Sequence, residues 1–311
     1  MSQYPESIAN LVGLAKEAEQ QKNVAQAKKY FQRALELAQP FKLVQTYFDF
    51  LQRQQDFSEA RQLLADFEQT FLTNGELIAY WQKLFAVQDY LVFDQSRQRL
   101  SRQHAQFSTA EEKVWTDLQQ KLATVQVAPT KLAQLTANLL QAATTTTGQN
   151  VAVVLAQLQL LPPVAFVQAA RPTLMSPTLN PEVRVKLINE ISMLSADYAL
   201  TLNWRGALRT INSSDLTAMQ ETPALAEFSA ELAQYQVEQR QDEVAQQFSL
   251  SNLLTYILLT YPFCEEELQP HDIWRQFLIT GQIPTGADAA EIAQLTYWQQ
   301  QELKLLNNLN S

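Results

Sequence analysis

The chain has 311 residues, 46% of them hydrophobic and 18% charged, enough for one large domain or two ordinary ones with real cores. Only 6 are glycine (Gly13, Gly75, Gly148, Gly206, Gly281, Gly286), and none stands in a G-x-G or G-K-[ST] setting, which excludes dinucleotide-binding and P-loop folds. The formal net charge of -9 argues against a sequence-independent grip on nucleic acid or an anionic membrane, so neither is expected as a partner.

The single cysteine, Cys264, rules out an intramolecular disulfide and fits a cytoplasmic setting. The first residues, Met1 to Glu6, show neither the basic nor the apolar run of a secretory leader. The most apolar stretches are Val151 to Val167 and Leu250 to Phe263. Gln157, Gln159, Pro162 and Pro163 interrupt the first, and the second is shorter than the roughly 20 residues that a membrane span needs.

From Ser7 to about Thr124 apolar residues recur at helical spacing, as in Leu11, Leu14, Ala15 and Ala18, then Ala27, Phe31, Ala34 and Leu35. The breaks are short and polar: Gln21-Lys22-Asn23, Gln39-Pro40, Gln54-Gln55-Asp56 and Thr73-Asn74-Gly75. Helices joined so tightly pack antiparallel to their neighbours. A repeat of about 33 residues emerges. Ala27-x-x-x-Phe31-x-x-Ala34 returns as Ala60-x-x-x-Leu64-x-x-Phe67 and, more weakly, as Phe93-x-x-x-Arg97-x-x-Leu100. Upstream, Leu11, Leu14 and Ala15 correspond to Val44, Tyr47 and Phe48, then to Leu77, Tyr80 and Trp81. The second helix of each pair opens at Gln21 to Ala27, Gln54 to Ala60 and Val87 to Phe93.

Over residues 7 to 105 this pattern resembles the tetratricopeptide (TPR) repeat superfamily, with three units and a possible fourth beginning at Ser108 to Ala123. An ordinary antiparallel helical array with a coincidental period is the alternative. The resemblance implies a right-handed helical array in which small residues, Ala27 and Ala60, sit where paired helices cross closely. It also implies that the first helix of each pair lines a concave groove. By register the groove positions are Lys16 and Glu19, then Gln45, Asp49 and Gln52, then Gln82 and Phe85. The Lys/Asn/Arg clamp that one TPR class uses to hold C-terminal carboxylates is absent, because Val12 and Asp49 stand in its places. A groove rich in Gln and acids suits a neutral or basic partner segment.

The composition shifts after Val125 to Pro129, giving an N-terminal repeat domain over 1–126 and a C-terminal helical domain over 127–311. Helices are expected at Lys131 to Ala143, Val151 to Leu161 capped by Asn150, Pro163 towards Met175, and Pro181 to Ser195 capped by Asn180. Thr144 to Gly148 reads as a frayed end plus loop. These short apolar pairs are similar to HEAT repeats. Tyr198, Leu200, Leu202 and Trp204 alternate with Ala199, Thr201 and Asn203 at strand period. Arg205-Gly206 turns the chain and Ala207 to Asn212 returns, so a β-hairpin is expected near 198–212. It packs by Trp204 on its own domain or offers an edge to a partner strand. Helices resume at Ala224 to Gln247, Leu250 to Tyr261, Asp272 to Thr280 and Ala287 to Leu309. The fold class expected is therefore mainly α. In layout the chain is similar to TPR-like proteins of Gram-positive bacteria that carry a C-terminal helical region, a likeness that implies no activity.

The residues show no catalytic constellation. Cys264, Glu265, Glu266, Glu267, His271 and Asp272 have metal-like chemistry, but Pro262 and Pro270 make the segment a loop and the acids read as a solvated first turn. Cys264 follows a very apolar helix and reads as a buried, inert thiol. Glu111-Glu112 and Asp242-Glu243 fall on polar helix faces, and Arg97, Arg99, Arg102, His104 and Lys113 form a basic patch among acids without a nucleic-acid motif. No cofactor or metal is expected, and no enzyme. The expectation is a non-catalytic scaffold or adaptor that binds a protein or peptide partner in the groove. The alternative is a small-ligand-binding or enzymatic C-terminal domain on a TPR handle, with a pocket near Trp204, Tyr256 or Trp274. The oligomeric state is not fixed by these patterns.

Overall fold

A computed structural model describes residues 7–103, 106–144, 148–239 and 243–309. These residues are mainly helical, with one two-stranded antiparallel sheet among them. The chain divides into two compact units, Met1–Ser96 with Leu100–Val125, and Gln126–Ser311 with Arg97–Arg99.

The N-terminal part runs α1 (Ile8–Gln20), α2 (Val24–Leu37), α3 (Phe41–Arg53), α4 (Phe57–Asp66), α5 (Glu68–Thr73), α6 (Leu77–Ala86), α7 (Tyr90–Arg102) and α8 (Thr109–Ala123). One turn geometry recurs between helices. Lys22, Gln55 and Gln88 adopt left-handed φ values of 59°, 57° and 59°. The residues after them, Asn23, Asp56 and Asp89, donate their backbone N–H to the carbonyls of Ala18, Leu51 and Leu84 at 2.8, 3.0 and 2.9 Å. Lys22, Gln55 and Gln88 themselves donate to Glu19, Gln52 and Phe85. This pair of reverse bonds is the Schellman ending, which satisfies carbonyls that a helix terminus would otherwise leave open. Asn23 and Asp56 then accept, through their side chains, the N–H of Gln26 and Glu59, so one residue closes a helix and caps the next. Asn23, Asp56 and Asp89 lie 33 residues apart, so the period read from the sequence is also a period of backbone geometry.

Between these turns the core is apolar and close-packed. Ala15, Ala27, Ala34 and Ala60 are fully buried. The Phe31 ring stacks on Tyr47 at 5.0 Å and meets Phe50 at 5.2 Å. Phe93, at the position of Ala27 and Ala60, is also buried and packs on Trp115 at 4.5 Å. The repeat pattern carried the second helix of the middle unit through Phe67, but it breaks there, with φ -115° and ψ 15°, into α4 and α5. The break turns Phe71 into the core against Phe41 and Tyr80. α8 opens with a capping box, Ser108 and Glu111 bonding reciprocally, and sets Trp115 against Trp81 at 5.0 Å.

The second unit contains α9 (Pro129–Thr144), α10 (Gly148–Leu158), α11 (Pro163–Leu174), α12 (Pro181–Ser192), β1 (Ala199–Trp204), β2 (Ala207–Asn212), α13 (Pro223–Gln239), α14 (Glu243–Thr260), α15 (Cys264–Glu267), α16 (His271–Thr280) and α17 (Ala289–Leu309). Asn180 caps α12 by accepting the Glu182 N–H, with Pro181 at the first helical position. β1 and β2 pair from Ala199 opposite Asn212 to Trp204 opposite Ala207. Arg205 and Gly206, with φ of 55° and 86°, form the two-residue turn. Leu200, Leu202 and Trp204 point inward, and β1 lies on α11. The hairpin is therefore held by helices of its own unit.

Four local expectations change. Asn150 lies inside α10, which already begins at Gly148, so it is not that helix's cap. The helix expected over Ala224 to Gln247 ends at Gln239, and Glu243 already belongs to α14. Cys264 to Glu267 is a helical turn rather than a loop, because the Phe263 carbonyl accepts the N–H groups of Glu266 and Glu267. Glu267 is buried instead of solvated. Thr145 to Thr147, His104 and Asp242 lie outside the described residues. Among the described residues, no helix is long and apolar enough to cross a membrane.

Candidate functional site

The seven positions nominated for partner binding fall on the first helices of the repeats: Lys16 and Glu19 on α1, Gln45, Asp49 and Gln52 on α3, Gln82 and Phe85 on α6. Two of them are joined to the following helix pair. Arg53 donates to both Glu19 oxygens at 3.0 and 3.1 Å, and Lys83 Nζ donates to Asp49 Oδ1 at 2.9 Å. Each link spans 34 residues. Lys83 also sits 4.1 Å above the Phe48 ring. Phe85 is half-buried, its ring 5.3 Å from Tyr90 and 5.9 Å from Phe93. Gln45 is half-buried, whereas Lys16, Gln52 and Gln82 are exposed.

The second helices are linked in the same stepwise manner. Lys28 pairs with Asp56 and, at 2.7 Å, with Glu59. Arg61, 33 residues after Lys28, donates to the Val87 carbonyl at 2.9 Å. The hydrogen bond from Lys28 holds the Asp56 carboxyl below its ordinary range. Burial opposes the same effect at Glu59, but donors from Lys28, Tyr47 and Gln32 outweigh it and lower that carboxyl too. These contacts are struts between neighbouring helices. Of the basic patch, Arg97, Arg99 and Arg102 are half-buried.

The C-terminal unit holds a different arrangement. Glu267 Oε1 accepts the indole N–H of Trp204 at 2.8 Å, and Oε2 accepts from Arg205 at 3.2 Å. Trp204 packs edge-on to Phe263 at 4.8 Å and near Trp298 at 5.9 Å. Arg184 lies 4.8 Å over the Trp204 ring and donates to the carbonyls of Leu258 and Leu259 at 3.2 and 2.6 Å. Among the described residues its Nε has no hydrogen-bond partner, nor has the indole N–H of Trp298. Burial pushes the Arg184 pKa down to about 10. Arg184, Trp204, Arg205 and Trp298 border a cleft of about 600 Å³, with Tyr297 and Lys304 among its walls.

Of the three aromatic residues expected near a pocket, Trp204 lines this cleft; Tyr256 and Trp274 instead pack on each other at 5.3 Å within the core. Cys264 is buried, and desolvation with the nearby Glu265 pushes its thiol up to about 12. His271 stacks on Phe228 at 4.0 Å and faces Glu231 at 3.5 Å. No group of three or more metal-ligating side chains exists among the described residues.

Sequence reasoning passed over Arg184 and read Glu267 as a solvated acid. Arg184 carried a readable signal: it heads the stripe Arg184, Leu187, Ile188, Ile191, spaced as a buried helix face. Nothing in Glu265-Glu266-Glu267 marks the third acid as the buried one, since its partners Trp204 and Arg205 are over 60 residues away.

No protein-family model matches the chain, no curated protein is detectably similar to it, and no solved structure matches it.

Proposed function

We propose that the chain is a non-catalytic, cytoplasmic interaction scaffold of TPR type, whose N-terminal helix pairs stack as a right-handed array and bind a partner peptide or helix along their first helices. The observation that carries this reading is the helix-ending turn at Asn23, Asp56 and Asp89, repeated at 33-residue spacing. Equal turns at equal intervals give successive helix pairs equivalent faces, the architecture from which extended binding surfaces are made. Along that face Glu19 and Asp49 are already matched by Arg53 and Lys83, leaving Lys16, Gln52 and Gln82 exposed. A neutral, hydrogen-bonding segment fits it better than a strongly basic one.

The test compares the full chain with a full-chain variant carrying Lys16→Glu, Gln52→Lys and Gln82→Lys. All three sites are exposed, so the variant keeps its circular dichroism spectrum and melting temperature. A protein from the source organism's lysate that the wild type retains and the folded variant loses supports the reading. Equal recovery by both removes this face from it.

A second reading is favoured by one observation, the cleft against Trp204: the C-terminal unit is a small-ligand-binding domain carried on the same chain.

A further inference from the structure

We infer that the cleft beside Trp204 binds a small organic anion, a carboxylate or a phosphate monoester on a flat apolar body, with the anionic group received by Arg184 and the body held by Trp204, Tyr297 and Trp298. The inference rests on the small-ligand reading of the C-terminal unit.

Charge is the first argument. The chain carries 32 acidic and 23 basic residues, yet the cleft is lined by three cations, Arg184, Arg205 and Lys304, and by no Asp or Glu. A random sample of this surface would be acidic. Glu267, the carboxylate that contacts two of the lining residues, is engaged by Trp204 and Arg205.

Unmet hydrogen bonding is the second. Arg184 is nine-tenths buried, and its partners are the neutral carbonyls of Leu258 and Leu259. Nε remains open, and among the described residues no carboxylate forms an ion pair with it. A buried guanidinium without a counter-charge is costly, and buried donors are nearly always satisfied. With a pKa of about 10 it stays a cation at neutral pH. The Trp298 indole N–H, on the same cleft, is a second buried donor with no acceptor. A bound carboxylate or phosphate supplies the counter-charge that Arg184 lacks, and the planar guanidinium fork suits such groups; Nε and the Trp298 N–H are closed to solvent, so binding turns these two side chains toward the cleft.

Shape is the third. The volume of about 600 Å³ lies within the ordinary range for small-molecule sites. Three aromatic residues and Leu305 supply apolar walls on which a ring lies flat.

The test is calorimetric titration of the full chain with 1-naphthoate, 1-naphthyl phosphate, the neutral 1-naphthalenemethanol and inorganic phosphate, with tryptophan fluorescence read in parallel. At least one naphthyl anion is expected to bind one to one, about ten-fold or more tighter than the alcohol, as one charge-assisted hydrogen bond requires. Which anion binds tighter distinguishes a carboxylate from a phosphate ligand. Arg184→Met abolishes binding. Because that variant can fail to fold, Trp298→Phe, which keeps the ring and loses the N–H, and the exposed Lys304→Glu are measured too; each weakens binding about five-fold. Equal affinity for anion and alcohol overturns the charge recognition while the small-ligand reading stands. Inorganic phosphate binding as tightly as naphthyl phosphate overturns the role of the rings. Unchanged affinity in both Trp298→Phe and Lys304→Glu overturns the placement. No binding by any probe overturns the inference and the small-ligand reading together.

Discussion

In the N-terminal unit the acids Glu19 and Asp49 of the first helices are matched by cations one helix pair further on, Arg53 and Lys83. In the C-terminal unit Arg184 and Glu267 are carried into the interior, and the hairpin, α15 and α17 are arranged around them. The first pattern adds little stability per pair, because exposed ion pairs are screened and entropically costly. The second is sensitive, since one lost partner strands a buried donor or charge. The first unit is therefore specified by apolar spacing and turn chemistry, and the second by a few polar anchors that join distant segments.

The sharpest way to break that contrast is to remove an anchor. Trp204→Ala takes a ring from Phe263, Trp298 and Arg184 and is expected to cost about 4 kcal/mol, read as a fall in melting temperature with loss of near-UV dichroism. Glu267→Ala leaves the Trp204 N–H and Arg205 without their acceptor, at a cost of about 3 kcal/mol in urea unfolding. Glu267→Gln retains an acceptor for the indole and should cost less than half as much. In the N-terminal unit Ala27→Leu, at a site with no exposed surface, overpacks a helix crossing and costs about 2 kcal/mol. A wild-type melt for that variant would show the repeat register to be misplaced.

Two smaller effects sharpen the surface side. Asp56 and Glu59 have depressed carboxyl pKa values in the folded chain, so the stability they contribute is present above the unfolded carboxylate range. It is lost as pH falls through the lower, folded values. Lys28→Gln should lower stability at neutral pH by under about 1 kcal/mol and converge on the wild type as pH falls through the folded carboxyl values, which flattens the acid limb of its stability–pH curve. Arg53→Ala, which breaks an exposed pair, should change stability by under about 0.5 kcal/mol.

The same contrast explains what could be read from the sequence. The helices of the N-terminal unit and their breaks were legible because their determinants are local: alanines at crossings, Asn or Asp after each left-handed residue, Gly75 at φ 70°. The hairpin was legible from period-2 alternation and the Arg205-Gly206 turn. The α13–α14 division was not, because the stretch from Val237 to Gln247 is rich in helix-forming Gln and Glu and has no Gly or Pro to mark a break. Nor was the break at Phe67, where burial of Phe67 and Phe71 overrides helix continuation. The seven positions nominated for partner binding all fall on α1, α3 and α6, as register implied, but register could not foresee that Arg53 and Lys83 would occupy Glu19 and Asp49. The cleft was legible only through Trp204, because its walls are drawn from α9 through α17 and converge in space alone.

Lys22, Gln55 and Gln88 hold a backbone conformation that glycine adopts freely and other residues adopt at a cost of roughly 1 kcal/mol each. A chain with only 6 glycines spends none of them there. Three equivalent joints thus stand at equal intervals, each with a reserve of stability that one substitution releases. For an engineer they are graded adjustment points, by which the N-terminal array can be stiffened one joint at a time without touching its core or its first-helix face.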